Sequence, residues 1–182
     1  MTAYSPLSSS TNRAWLKTGE HRDLPISDLV TYPLLRQATS LWQAEFDAAG
    51  RLPARLDPLT LPRDLLPYVM LLDLEQAGQR ACLRIRLAGT EVCAKHGREM
   101  KGLTTDDFFH ADDADAVVTA ALTVAATGQP SLARRSYITI NDRVWSYVRL
   151  ILPLSRDGET VDSFFKVADP ASMRALSAWR TA

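Results

Sequence analysis

Hydrophobic and polar side chains alternate over residues 81–88, where leucine and isoleucine take every second position from Leu83 and arginines lie between them. This period of two is typical of a strand with one buried and one solvated face. Gly89 ends the strand, Thr90 can cap a short helix and Gly97 closes that helix. The pattern predicts a half-buried strand followed by a short helix that lies across a sheet.

A helical repeat of apolar residues begins at Tyr32-Pro33 and ends before Gly50. Proline suits the first position of a helix, and glycine suits the position just after its end. The apolar stripe predicts a helix that either covers the domain or pairs with a second copy of the chain. Its candidate contact residues are Leu34, Leu41, Trp42 and Phe46.

The segment 51–67 contains prolines at positions 53, 58, 62 and 67, so we interpret it as a rigid connector. The apolar run at 68–75 is expected to form a hairpin with the strand at 81–88. A helix is predicted over 112–127, and Gly128 and Pro130 stop it. Three more strands are predicted at 134–140, 144–152 and 161–167.

Asp169-Pro170 is expected to begin a C-terminal helix that carries Trp179, a further candidate contact residue. The strands come as a pair and a triplet joined mostly by short turns. Such strands form an antiparallel sheet with the helices gathered on one face. The predicted fold class is therefore α+β, with additional helices at both ends of the chain.

The chain divides into three parts by this pattern. Residues 1–31 are predicted to be a flexible lead, because they carry several Ser and Thr residues and show no periodicity. Residues 32–167 form the domain with its preceding helix, and residues 168–182 form the C-terminal helix.

Composition excludes several functional classes. The 21 basic and 21 acidic residues cancel, so nothing drives the chain generally towards nucleic acid. No apolar run approaches the roughly 20 residues that span a bilayer. The N-terminus lacks a secretory apolar core, so we expect a cytoplasmic protein in which Cys82 and Cys93 stay reduced.

The order of elements and several local motifs resemble a PAS domain. The motifs are L-P-A-R-L-D-P at 52–58, L-L-P-Y-V-M-L-L-D-L at 65–74, R-I-R-L-A-G-T-E-V at 84–92 and G-R-E-M-K-G at 97–102. More narrowly, the chain resembles small, mostly single-domain bacterial PAS proteins whose ligand is not known. The resemblance implies a five-stranded antiparallel sheet that encloses, with its helices, a ligand cavity or a plain core. It also implies sensing of a small molecule, of redox state or of light, with a relay through dimer contacts.

An apolar space is predicted between the sheet and the helix at 112–127. A ligand bound there would be small and largely hydrophobic. The same side chains would equally well fill a dry core, and the sequence does not distinguish the two. The candidate lining residues are Leu83, Ile85, Leu87, Val118, Leu122, Val148, Leu150 and Leu152.

The opposite phase of the strands mixes arginine with aromatic residues. Trp145, Tyr147 and Ile151 take the phase opposite to Leu150, which predicts that they face outwards. Such a mixture is more typical of an interaction surface than of plain solvent cover, although a solvated face explains the arginines equally well. These arginines are Arg84, Arg86, Arg134, Arg135 and Arg149.

Three residues are candidate ligands for a metal or a haem iron. Cys93 and His96 lie three apart on the predicted short helix, and His110 follows in the helical region. No further Cys/His cluster completes a zinc site, so an ordinary surface thiol and imidazole are the favoured interpretation. Cys93 also lacks the asparagine-rich setting of light-sensing flavin domains.

A group of carboxylates between Asp106 and Asp115 could act as an acid–base pair or bind a divalent cation. Their place before and at the start of a helix favours capping instead. The chain contains no nucleophile elbow, phosphate-binding loop, dinucleotide-binding glycine pattern or zinc-protease motif.

The leading hypothesis is a non-enzymatic sensory or regulatory module that binds a small ligand and signals through a protein partner, a homodimer included. Its cofactor is unknown. Two alternatives stay open: a haem- or metal-binding sensor that uses His96, Cys93 or His110, and a small enzyme that uses the Asp106–Asp115 carboxylates.

Overall fold

The computed structural model describes residues 16–78, 80–138 and 144–176. Its helices are α1 (Pro33–Ala49), α2 (Thr90–His96), α3 (Thr105–Phe108) and α4 (Ala111–Thr127). Its strands are β1 (Lys17–Leu24), β2 (Val69–Ala77), β3 (Arg80–Ala88), β4 (Ser131–Ile138), β5 (Val144–Leu154), β6 (Ser163–Ala168) and β7 (Arg174–Leu176). Short 3₁₀ helices occur at Ile26–Thr31, Pro58–Thr60, Arg63–Tyr68 and Pro170–Ser172. Among these described residues, no helix is long and apolar enough to cross a membrane.

The strands form one antiparallel sheet in the order β1-β4-β5-β6-β2-β3, with β7 paired to β5. The predicted α+β class is confirmed, and β2 to β6 correspond to the five predicted strands. Within the described part of the chain, β1 and β7 enlarge the sheet to seven strands.

The prediction of a flexible lead is wrong for residues 17–31. Lys17–Leu24 pairs with β4, and Ile26–Thr31 forms a 3₁₀ helix that leads into α1. This strand was not predicted because most of its side chains are exposed and polar, so they show no alternation of apolar and polar residues. Residues 1–15 lie outside the described residues.

The predicted C-terminal helix is also wrong where the structure describes it. The Asp169 carboxylate accepts a hydrogen bond from the Ser172 amide at 2.7 Å, which holds a single 3₁₀ turn. The chain then continues as β7. Trp179 lies outside the described residues, so its predicted contact role stays a prediction.

Of two glycines at helix ends, Gly50 was expected there from the sequence and Gly89 was not. Gly50 ends α1 with a φ of 64°, and its amide donates to the Phe46 carbonyl. Gly89 precedes α2 and packs against the 3₁₀ helix at Arg63–Tyr68, where a Cβ atom would overlap the Pro67 carbonyl oxygen. Gly89, and not Thr90, is the N-cap, and no side chain caps α2.

The sheet has two buried faces, and directly paired residues share a face. Tyr137 pairs with Trp145, and Lys166 pairs with both Ile151 and Met70. These side chains point towards α2, α3 and α4, because Trp145 and Lys166 line cavities together with residues of those helices. We call this side the cavity face; its central residues are Met70, Leu72, Ile85, Arg135, Tyr137, Trp145, Tyr147, Arg149, Ile151 and Lys166.

The opposite side, which we call the α1 face, is covered by α1. Leu35, Ala38 and Trp42 of that helix are buried, and the indole N–H of Trp42 donates to the Pro153 carbonyl at 2.7 Å. The Tyr32 hydroxyl, just before α1, accepts from the Arg134 guanidinium. The strand residues buried on this face include Val69, Leu132, Val148, Leu150, Leu152, Phe165 and Val167.

The two faces of β5 are therefore the reverse of those predicted from the sequence. Val148, Leu150 and Leu152 lie on the α1 face and not on the side of Ile85. The predicted outward-facing set of Trp145, Tyr147, Arg149 and Ile151 lies on the cavity face instead. The phase was misread because both faces are covered, and every residue from Val148 to Leu154 is buried.

Candidate functional site

A cavity with two adjoining lobes, each of about 40 Å³, lies between the cavity face and the helices. Both lobes are lined by Met70, His96, Tyr137, Tyr147 and Lys166. We call this space the inner cavity. One lobe continues towards Tyr68, Val92, Lys95, Trp145, Ala168 and Met173. The other continues towards Leu72, Leu83, Ile85, Met100, Thr105, Phe108, Phe109 and Val117.

Neighbouring strands bring the polar groups of the inner cavity together. Tyr137 comes from β4, Tyr147 from β5 and Lys166 from β6, all on one face of the sheet. His96 comes from the last turn of α2, which carries no fully buried residue. The cavity is thus built from a rigid sheet on one side and a lightly anchored helix on the other.

Lys166 is largely buried and has no carboxylate within 4 Å among the described residues. Its ammonium group lies 3.6 Å from the Met70 sulfur and 5.9 Å from the centre of the Tyr137 ring. Burial lowers the pKa of Lys166 because the protein interior solvates an ammonium ion poorly. A buried lysine without a counter-ion is costly, and a ligand that accepts its hydrogen bonds would offset that cost.

The two tyrosines stack with their ring centres 5.8 Å apart, and their hydroxyls share a hydrogen bond. Burial alone would raise the pKa of Tyr137, but the positive charges of Lys166, Arg135 and Arg149 lower it overall. Burial and then the neighbouring Tyr137 raise the pKa of Tyr147. Tyr137 is therefore the more acidic member of the pair.

His96 is held neutral at the wall of the inner cavity. Burial lowers its pKa to about 4, and the charge of Lys166 adds to this effect. Its Nδ1 atom is buried and has no hydrogen-bond partner among the described residues. A neutral imidazole with an unpartnered ring nitrogen can donate to or accept from a ligand in the cavity.

The structure separates the predicted lining residues into several groups. Leu83 and Ile85 line the inner cavity, and Val118 is buried next to Val117, which lines it. Val148, Leu150 and Leu152 fill the core on the α1 face.

Two predicted lining residues are exposed, so their prediction is wrong. Leu87 is 44% exposed because a bulge in β3 places Leu71 opposite Leu87 and Leu72 opposite Ile85, which turns Leu87 outwards. Leu122 is 39% exposed because it lies one residue, or 100° around the helix, beyond the buried Ala121.

The structure does not bring the candidate metal ligands together. His96 lines the inner cavity, whereas the Cys93 sulfur lies 3.7 Å from a Glu99 carboxylate oxygen. His110 is exposed at the start of α4. No group of three or more His, Cys, Asp or Glu side chains that could hold a metal ion occurs in the described part of the chain.

The carboxylates between Asp106 and Asp115 take part in local structure. Asp107 forms a capping box with Thr104 at the start of α3. Asp115 pairs with Arg80, and Asp113 accepts a hydrogen bond from the Thr18 hydroxyl of β1. These contacts favour the capping interpretation over an acid–base pair.

Trp42 is wrongly predicted as a contact residue, because it is 2% exposed and stacks on Phe46 within the chain. Leu34, Leu41 and Phe46 are half-buried against the core, with part of each side chain on the surface. Lys166 is a site residue that was not predicted, although a single lysine within the apolar run from Phe164 to Ala168 is a signal for it.

Comparison with protein-family models matches residues 30–168 to a model described as a PAS domain. No curated protein and no solved structure matches the chain.

Proposed function

The chain belongs to the PAS domain family, and on this premise we propose that it is a non-enzymatic sensory or regulatory module that binds a small ligand in the inner cavity. The observation that carries this proposal is the meeting of three polar groups in one apolar cavity. These groups are the Lys166 ammonium, the His96 imidazole and the Tyr137–Tyr147 hydroxyl pair. A few placed polar groups in apolar walls are typical of small-molecule sites.

The size of the cavity limits the ligand. Each lobe of about 40 Å³ has room for a few water-sized groups, since one water needs roughly 10–15 Å³. The lobes accept a small molecule with a hydrogen-bond acceptor for Lys166, and a haem would require the helices to move apart. This size favours the small-ligand hypothesis over the haem sensor.

The output of the module is proposed to pass through α2 and then to a protein partner. His96 is the residue of α2 that touches both lobes, and no side chain of that helix is fully buried. A ligand that bonds to His96 therefore changes the position of α2 at low energetic cost. The cytoplasm is the proposed setting, in keeping with reduced Cys82 and Cys93.

A homodimer through α1 is part of the same proposal. Leu34 and Leu41 of α1 are half-buried, and Val30 of the 3₁₀ helix that leads into α1 is 71% exposed. Substituting Val30→Glu is expected to convert a dimer to a monomer in sedimentation velocity. The matched control is Leu59→Glu at a 92% exposed site away from α1, and equal masses for the two variants would contradict this dimer surface.

Native mass spectrometry of the purified protein, with an absorbance spectrum of the same sample, tests ligand binding. We expect a bound small mass that is lost in Lys166→Met and retained in the surface variant Leu122→Ala. A visible haem band that disappears in His96→Ala would replace this proposal with the haem sensor. Absence of any bound mass, together with no thermal stabilisation by a library of small metabolites, would contradict the ligand-binding function.

A further inference from the structure

A second and larger space lies outside the inner cavity, between β1 and α4. This cleft has a volume of about 660 Å³, within the range of roughly 300–1,000 Å³ that small-molecule sites occupy. The Thr18 hydroxyl bonds to Asp113 and holds one end of β1 against α4. Residues 16–29, β1 included, precede the region matched to the PAS model, so this chain builds the cleft partly from its own additional segment.

Arg149 lines this cleft and carries a positive charge with no counter-ion in contact. Its side chain is 2% exposed, and its Nη1 atom has no hydrogen-bond partner among the described residues. No carboxylate of the described residues lies within 4 Å of it. Buried charges in proteins are normally paired, because an unpaired charge keeps the cost of its lost hydration.

A second arginine makes the local charge more positive. Arg135 is 4% exposed, lies diagonally across the β4–β5 ladder from Arg149, and has a partnerless Nε atom among the described residues. Burial, and then the charge of Arg135, lower the pKa of Arg149 to about 10. Arg149 therefore stays a cation at neutral pH, and an incoming anion would relieve the repulsion.

The nearest acidic residue on this face does not neutralise the arginines. Asp23 of β1 and Arg149 both flank Ala133, so they lie on the same face, one strand apart. The Asp23 side chain is 80% exposed and bonds to the His21 ring nitrogen at 2.8 Å. Asp23 thus lies at the rim of the cleft and is paired with His21. It does not contact Arg149, so the guanidinium can pair with an anionic ligand.

The remaining walls of the cleft expose more apolar than polar surface, and Thr119, Gln129 and Ser131 are further polar lining residues. The hydroxyls of Thr123 and Thr127 bond to carbonyls one turn earlier in α4, so they are not directed at a ligand. The apolar lining residues are Leu24, Ile26, Ala116, Ala120, Val124, Pro130 and Leu132. Such walls suit the hydrocarbon part of a ligand.

We propose that this cleft binds a small organic anion with an apolar body, whose carboxylate or phosphate group pairs with the Arg149 guanidinium. The planar guanidinium matches both groups through paired hydrogen bonds. This site is separate from the inner cavity, and the proposal does not depend on a ligand being bound there.

Isothermal titration of the full chain in low-chloride buffer tests the proposal with benzoate, phenyl phosphate and the uncharged benzamide as probes. We expect benzoate or phenyl phosphate to bind at least ten-fold more tightly than benzamide, and the tighter of the two anions identifies the preferred group. Arg149→Gln is expected to remove this preference. Equal binding of benzoate, phenyl phosphate and benzamide, or no binding of any probe at millimolar concentration, would overturn the proposal.

A pair of surface variants keeps the test independent of whether Arg149→Gln folds. Ala120 lines the cleft, so Ala120→Trp is expected to fill it and to abolish binding of the anion. Ala126→Trp lies at an exposed position on the same helix and is expected to bind as the wild type does. Anion binding that survives Ala120→Trp would place the ligand elsewhere.

Discussion

The two faces of the sheet bury different chemistry although they share the same strands. On the α1 face, Val148, Leu150 and Leu152 of β5 are completely buried among other apolar side chains. On the cavity face, Tyr147 and Arg149, which flank Val148, lie beside open space. Successive residues of one strand therefore alternate between a closely packed apolar core and a polar face that borders cavities.

This difference indicates how stability and ligand binding are divided in the molecule. The α1 face supplies dense apolar burial, which is the main favourable contribution to folding. The cavity face contains buried charges and unpartnered nitrogens, which oppose folding unless something pairs with them. We infer that apolar burial on the α1 face offsets the free-energy cost of the buried charges on the cavity face. The variants described next test this division.

Truncation of the α1 face is expected to have the largest effect. Leu150→Ala removes a completely buried side chain and should lower the free energy of unfolding by about 2–5 kcal/mol. Leu122→Ala, at a 39% exposed leucine, is the control and should cost under about 1 kcal/mol. Urea denaturation of both variants measures the contrast, and equal losses would mean that the α1 face does not dominate stability.

The next effect concerns pH and the cavity face. The pKa of His96 is lowered to about 4 from an unfolded value of 6.5, so the unfolded chain takes up a proton first as the pH falls. Stability should be complete above pH 6.5 and fall by about 3 kcal/mol towards pH 4 through this group. Denaturant unfolding at pH 7, 5.5 and 4.5 should show a shallower decline in His96→Gln. Parallel declines for His96→Gln and wild type would show that His96 is not held neutral by burial.

Trp42→Phe tests a polar contact between α1 and the end of β5. The change removes the indole N–H and leaves the Pro153 carbonyl without its donor, at an expected cost of about 1–2 kcal/mol. Thermal unfolding measures this cost. A wild-type melting temperature would indicate that water replaces the donor, and Phe46→Leu serves as a control for loss of ring stacking alone.

Lys166→Met is expected to give the smallest change, and in the opposite direction. Replacing a buried ammonium that has no carboxylate in contact by an apolar side chain should raise the free energy of unfolding by about 1 kcal/mol. The same variant loses the proposed ligand of the inner cavity. Denaturant unfolding of ligand-free protein measures the change, and a clear loss of stability would assign Lys166 a structural role.

The sequence was sufficient for the order of the central elements, because long apolar periodicities and glycine or proline breaks mark them. It was not sufficient for the faces of β5. Every residue from Val148 to Leu154 is buried, so no solvated side chain reveals the phase of that half of the strand. An arginine in a strand usually indicates a solvent-exposed face, but Arg149 is almost inaccessible to solvent.

Features that depend on other parts of the chain were also hidden from sequence analysis. β1 is identified only by its pairing with β4, because its own side chains are polar. The bulge that exposes Leu87 arises from the pairing of β2 with β3 and has no clear local signal. The inner cavity needs Tyr137, Tyr147 and Lys166 from three strands, so it could not be recognised before the register was known.

The position of β1 at the edge of the sheet has a consequence for self-association. Its irregular pairing between Thr18 and His21 and its charged side chains make it a poor template for a strand from another molecule. It covers β4, whose residues from Leu132 to Tyr137 are mostly buried and would otherwise form the edge. Removing the residues up to Leu24 would leave β4 as an unpaired edge strand. The truncated protein is therefore expected to aggregate through β4.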